Sequence, residues 1–179
     1  MIAYVVKSGK PFTDIIAADY TIVNPFSAIA YGVDPGFTNP NDYGEFKEVR
    51  IAQSPAGAQT PHAGVLSTPA FLNRWQTTPT NRNRARARRI FQFFLATDVL
   101  KIAERPVDAS KLTAKDNPTR TSESCNVCHQ VIDPLAGAFR GFDNNDYEKF
   151  TPNANWFSDM EEPGWGREKL DPSFYTHAL

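Results

Sequence analysis

The sequence predicts a mainly α-helical fold with long, proline-rich loops. Three observations carry that expectation. Apolar residues recur at helical spacing in the strongest periodic segment, Asn-Pro and Thr-Pro pairs mark helix starts, and alternating apolar–polar runs are scarce. The chain also carries 14 prolines in 179 residues, and each proline resists the interior of a helix or sheet.

Taken in order, residues 2 to 6 read as the tail of a helix, stopped by Gly9-Lys10-Pro11. A short helix is expected from Pro11 to Ala18, with Pro11 in its first turn and Ile15 and Ile16 inward. Asn24-Pro25 starts the next, through Phe26 to Tyr31, and Gly32 closes it. Residues 33 to 45 contain Asp34-Pro35-Gly36 and Asn39-Pro40-Asn41, which is turn chemistry. Phe46, Val49 and Ile51 allow at most one short strand. Thr68-Pro69 is a cap followed by a first-turn proline, opening a helix from Ala70 to Trp75.

The clearest helix is expected from about Asn83 to Thr97, capped by Asn81 or Asn83. Ile90, Phe91, Phe94 and Leu95 form its apolar stripe, read as core. Its first half is rich in arginine, with Arg82, Arg84, Arg86, Arg88 and Arg89, of which Arg82, Arg86 and Arg89 share a face. Most of these read as a solvated basic face. Residues 104 to 120 read as an exposed linker, and a short helix is expected from Ser122 to Gln130.

Composition is ordinary for a globular protein, with 41% hydrophobic and 22% charged residues. A formal net charge of −1 argues against binding nucleic acid or an anionic membrane through bulk charge. No apolar run approaches the length of a membrane span. No hydrolytic triad or Gly-rich phosphate loop stands out.

Within the last predicted helix lies Cys125-Asn126-Val127-Cys128-His129, and these are the chain's 2 cysteines. C-x-x-C-H is the attachment sequence of a c-type haem. Helical spacing puts both sulfurs on one side of a single turn, where they can add to the two porphyrin vinyl groups. His129, next in the chain, can then ligate iron from the proximal side. Three other readings compete. A thioredoxin-like pair belongs at a strand-to-helix junction of a βαβ unit, and no such pattern flanks this one. A closed zinc site wants four ligands, and only His62, His177 and carboxylates are left to complete it. Chance is the third, weakened because both cysteines fall in this spacing with the histidine attached. One covalent haem c is therefore the expected cofactor. Arginine pairs bidentately with carboxylates, so Arg82 and Arg86 are candidate partners of its propionates. The apolar residues from Val131 to Phe142 have no obvious partner nearby in sequence, and a porphyrin would supply that surface.

After the motif comes Ile132-Asp133-Pro134-Leu135. It resembles cytochromes c, in which a proline–leucine pair follows the haem histidine. The resemblance implies that Pro134 offers its carbonyl to His129 Nδ1–H and that Leu135 packs against the ring. Read without it, Asp133-Pro134 is a helix stop.

Further blocks occur in order: Tyr20 to Asn24, Ala30-Tyr31-Gly32, His62 to Leu72, the arginine-rich Asn81 to Arg89, and Cys125 to Phe142. Trp156-Phe157-Ser158-Asp159-Met160, Pro163-Gly164 and Asp171 to Phe174 follow them. Together these resemble the planctomycete-type cytochrome c domain family, in the form also met in myxobacteria. That resemblance implies a cytochrome c-like helical haem domain in a long exported protein, with no firm reaction attached. Residues 1–105 would be a helical region with loops, readable as the tail of a larger upstream domain. Residues 106–179 would be the haem-binding region, the two making one compact unit. A periplasmic or extracellular location follows, although Met1 to Lys7 does not read as a signal peptide. The expected true start therefore lies upstream, or the chain is processed or incomplete.

Few residues can supply a sixth iron ligand. Met160, in a loop with Trp156, Phe157 and Trp165 for company, is the first choice and His62 the alternative; Met1 and His177 lie near the chain ends. A monohaem electron-transfer protein is the leading expectation, working with redox protein partners or other subunits of a larger complex. The alternatives are a peroxidase-like haem enzyme, using His62 and an arginine of the 82–89 run, and a structural haem subunit.

Overall fold

The computed structural model describes residues 1–51, 62–102, 119, 122–139 and 142. In the first of its two compact units, which takes in Met1–Trp75 and Phe142, the local signals act where they stand. Helix α1 (Ile2–Lys7) ends at Ser8, and Gly9 then turns the chain at φ 63°. Helix α2 (Asp14–Ala17) buries Ile15, while Ile16 is only half-buried. Strand β1 (Tyr20–Val23) leads into helix α3 (Pro25–Tyr31). At the start of α3, Asn24 Oδ1 accepts from Ser27 N and Ser27 Oγ accepts from Asn24 N, each at 2.9 Å. This reciprocal capping satisfies two backbone donors that a helix start leaves open, and Pro25 has no N–H to satisfy. Gly32 ends α3 in the left-handed region. Replacing Asn24 by Ala should cost about 1 kcal/mol, read as a lower urea midpoint. An unchanged midpoint would mean that the helix start is satisfied without this side chain.

Strand β2 (Lys47–Arg50) pairs antiparallel with β1, Tyr20 opposite Arg50 and Val23 opposite Lys47. The sequence suggested one short strand in this region and overlooked β1. Tyr20, Thr21 and Val23 are all buried, so β1 lacks the alternation that marks a half-exposed strand. Between the strands, Glu45 accepts from the backbone N–H groups of Thr38 and Asn39. Those bonds hold its carboxyl down at about 2. A 3-10 turn (Gly64–Ser67) then packs on α2: Gly64 N donates to Ala18 O at 2.9 Å. A Cβ at Gly64 would stand 2.2 Å from Ile15 O, and its φ is 47°, so both space and backbone demand glycine there. Helix α4 (Pro69–Arg74) starts as expected, with Thr68 Oγ1 accepting from Phe71 N.

The second unit begins at Gln76. Helix α5 (Arg84–Phe94) and helix α6 (Glu123–Gly137) pack together with a 3-10 turn at Val99–Lys101. Ala87, Val99, Ile132 and Ala136 form their common core, with Phe91, Val131 and Leu135 against it. Three expectations are corrected here. Helix α5 ends at Phe94 rather than Thr97, since Ala96 turns left-handed and Leu95 is exposed. Asn83 occupies the cap position but is itself left-handed and makes no side-chain cap bond; its Oδ1 accepts from Arg86 Nη1 instead. Asp133-Pro134 does not stop α6, which runs on to Gly137 with Pro134 inside it. Pro134 has no N–H to donate to the carbonyl of Gln130, and Gln130 is a residue exposed to water. Among the described residues no helix is long and apolar enough to cross a membrane.

Candidate functional site

Helix α6 carries the C-x-x-C-H sequence in its first two turns. Cys125 is buried and Cys128 half-buried, and both are free thiols. Cys128 donates its S–H to the carbonyl of Val99 at 3.2 Å, a weak bond that thioether formation would replace.

His129 sits one residue on, and its Nδ1 lies 3.1 Å from both carboxylate oxygens of Asp133. The i,i+4 spacing on one helix places the two side chains together. Asp133 is completely buried, and a charge in that position needs a partner. Arg84 supplies it from the first turn of α5: Nε donates to Oδ1 at 2.6 Å and Nη2 to Oδ2 at 3.0 Å. Burial alone would raise the Asp133 carboxyl. The hydrogen bonds from His129 and Arg84, with the Arg84 charge, outweigh burial and hold it below its ordinary value. An ionised Asp133 accepts only from a protonated Nδ1, so the contact favours the tautomer whose Nε2 lone pair is open to a metal.

The donor set therefore fits a haem c: two unpaired thiols on one helical turn, and an imidazole whose ligating nitrogen is set by its other hydrogen bond. Cys125 and Cys128 would hold the porphyrin and His129 the iron. Among the described residues no group of three or more His, Cys, Asp or Glu gathers as a metal site; covalent haem attachment requires none.

Other predicted contributors stand differently. The expected partner of His129 was the Pro134 carbonyl, whereas the Asp133 carboxylate takes that bond. Leu135 packs against the core shared by α5 and α6. The arginines do not form a solvated face. Arg86 is fully buried and bonded to Asn83, Arg88 pairs bidentately with Asp98, and Arg82 is half-buried with a left-handed backbone at φ 44°. The structure thus draws Arg82 and Arg86 into the start of α5. Met160, the aromatic residues around it, His177 and the segment read as a linker lie outside the described residues, except for Thr119.

His62 belongs to the first unit. Ser67 Oγ accepts from Ala63 N at 2.9 Å and lies 2.9 Å from His62 Nδ1. The Ser67 hydroxyl proton can therefore point at Nδ1, placing the imidazole proton on Nε2. The ring packs edge-on to Tyr31. Burial lowers its pKa to about 4, against a smaller upward pull from the Tyr20 backbone, so near neutral pH this is an uncharged, packed histidine.

Sequence reasoning passed over Asp133 as a partner and Arg84 as a distinct arginine. The signal for Asp133 was present in His129-x-x-x-Asp133, the spacing of neighbours on a helix. Nothing local singles out Arg84 from the arginines beside it.

No protein-family model matches the chain, no curated protein matches it, and no solved structure matches it. The likeness to planctomycete-type cytochrome c domains rests on the motifs quoted for it.

Proposed function

We propose that this protein is a monohaem c-type cytochrome subunit or segment, exported to the periplasm or beyond, that passes single electrons between redox partners. The observation that carries the reading is the arrangement on α6. Two free thiols one helical turn apart precede a histidine whose Nδ1 is held by Asp133. Bound haem supplies a one-electron Fe(III)/Fe(II) couple. Cys125 and Cys128 anchor it, His129 binds the iron, and Asp133 with Arg84 orients His129. Electron transfer is preferred to peroxide turnover because a peroxidase needs a free acid–base pair above the iron. Arg84 and Arg88 are committed to carboxylates, Arg86 is fully buried, and His62 packs on Tyr31 with its Nδ1 beside Ser67 Oγ.

The haem-enzyme reading has one observation in its favour. A carboxylate partner makes the proximal imidazole more basic, which also suits chemistry passing through oxidised iron. The sixth ligand separates the two. With Met160 on the iron, Met160→Ala should open the iron to CO and lower the potential, while His62→Ala leaves the visible spectrum nearly intact. The reverse pattern would assign the ligand to His62. A wild-type protein that is already high-spin and turns over peroxide rapidly would favour the enzyme.

A further inference from the structure

We infer that Asp133, clamped by Arg84, is a positioning residue that sets the reduction potential of the haem iron through His129. The inference rests on the haem c reading above and adds to it the control of the couple.

The geometry is specific. Asp133 is fully buried and offers both oxygens to His129 Nδ1 at 3.1 Å. The same oxygens take two hydrogen bonds from Arg84. A single charge-assisted bond would orient the imidazole; the second pair of bonds keeps the carboxylate from rotating away, so the Nδ1 contact is held rather than sampled. A histidine donating to a buried carboxylate carries more negative charge on its ring than one donating to a neutral carbonyl. It is then the stronger donor to iron and stabilises Fe(III) over Fe(II). Arg84 works against this, because its charge draws the carboxylate's electrons toward itself. The couple therefore sits between two limits, a bare carboxylate partner and a neutral one, and Arg84 decides where. This is also a reason for Arg84 in particular to face α6 among the arginines of the 82–89 run.

The test is a redox titration of the full-length holoprotein at fixed pH, in wild type and three variants. Asp133→Asn keeps the shape and removes the charge. It should raise the potential, shifting the ferric-to-ferrous ratio at a fixed ambient potential by about tenfold, equivalent to about 59 mV for a one-electron couple. Asp133→Glu, which restores a carboxylate, should recover part of that shift. Arg84→Lys weakens the clamp but keeps its charge, and should move the potential much less than Asp133→Asn, although it loosens the same packing. A purely structural role predicts comparable effects from the asparagine and lysine variants. As a second readout, the exchangeable Nδ1 proton of His129 in wild-type holoprotein should be strongly protected from solvent exchange and lose protection in Asp133→Asn. Wild-type protein with an unprotected Nδ1 proton would overturn the inference even if a variant fails to fold. So would equal potentials in wild type and Asp133→Asn with haem still covalently bound, and that result leaves the haem c reading standing. Polypeptide without covalent haem would remove both.

Discussion

Replacing Arg84 by Met should destabilise the second unit by about 3–5 kcal/mol, the usual loss when one partner of a buried ion pair is removed. Burial in α6 keeps solvent from taking the place of Arg84 at the Asp133 carboxylate, which would lose its cation and keep the contact to His129. The pair also bridges α5 and α6, 49 residues apart in sequence, so its loss uncouples the two helices that build the unit. The expected readout is a lower urea midpoint for the α5–α6 transition. Replacing both residues, as Arg84→Met with Asp133→Leu, should recover most of the loss, because the cost is a buried charge without its counter-charge and not missing volume. A single variant as stable as wild type would mean that Asp133 is compensated elsewhere.

The first unit should become acid-sensitive through His62. Its pKa falls from an ordinary value of 6.5 to about 4 in the folded state. A depressed value means that the unfolded chain binds this proton more readily than the folded one. The stabilisation from the neutral, buried ring is therefore complete above pH 6.5, shrinks as pH falls, and is gone below about pH 4. Across that window the loss is about 3 kcal/mol, at 1.36 kcal/mol per unit. Glu45, held at about 2, loses its own contribution at lower pH. Unfolding midpoints measured from pH 8 to pH 4 in wild type and His62→Gln should thus converge as acid is added. Parallel curves would show that the ring is hydrated or charged in the folded protein.

What could be read in the sequence was local. Asn24-Pro25 with Gly32, Thr68-Pro69, and Gly9 after α1 each act within a turn of where they lie, and each appears in the fold. The haem motif is equally local, since the spacing of Cys125, Cys128 and His129 is its own geometry. What escaped was decided by partners distant in the chain. Strand β1 exists because Lys47–Arg50 pairs with it. Helix α6 passes through Pro134 because Ile132, Asp133 and Ala136 are fastened to α5 on both sides of that residue. Tertiary packing can offset a helix-breaking cost of about 3 kcal/mol. The arginine run misled for the same reason: its residues resemble a solvated face until Asp98 and Asp133 are placed opposite Arg88 and Arg84.

Covalent attachment of a haem to α6 through Cys125 and Cys128 is open to a direct chemical test. It is tested most directly by acid–acetone extraction of the full chain, produced in a host that exports it and attaches haem c. Absorption of the extracted polypeptide is then read as its pyridine haemochrome. Haem should stay with the protein, in a ratio of about one per chain as a single C-x-x-C-H motif implies. Replacing Cys125 and Cys128 together by Ala should abolish retention. Haem recovered in the acetone phase from the wild-type chain, or a polypeptide that never acquires haem, would contradict covalent attachment.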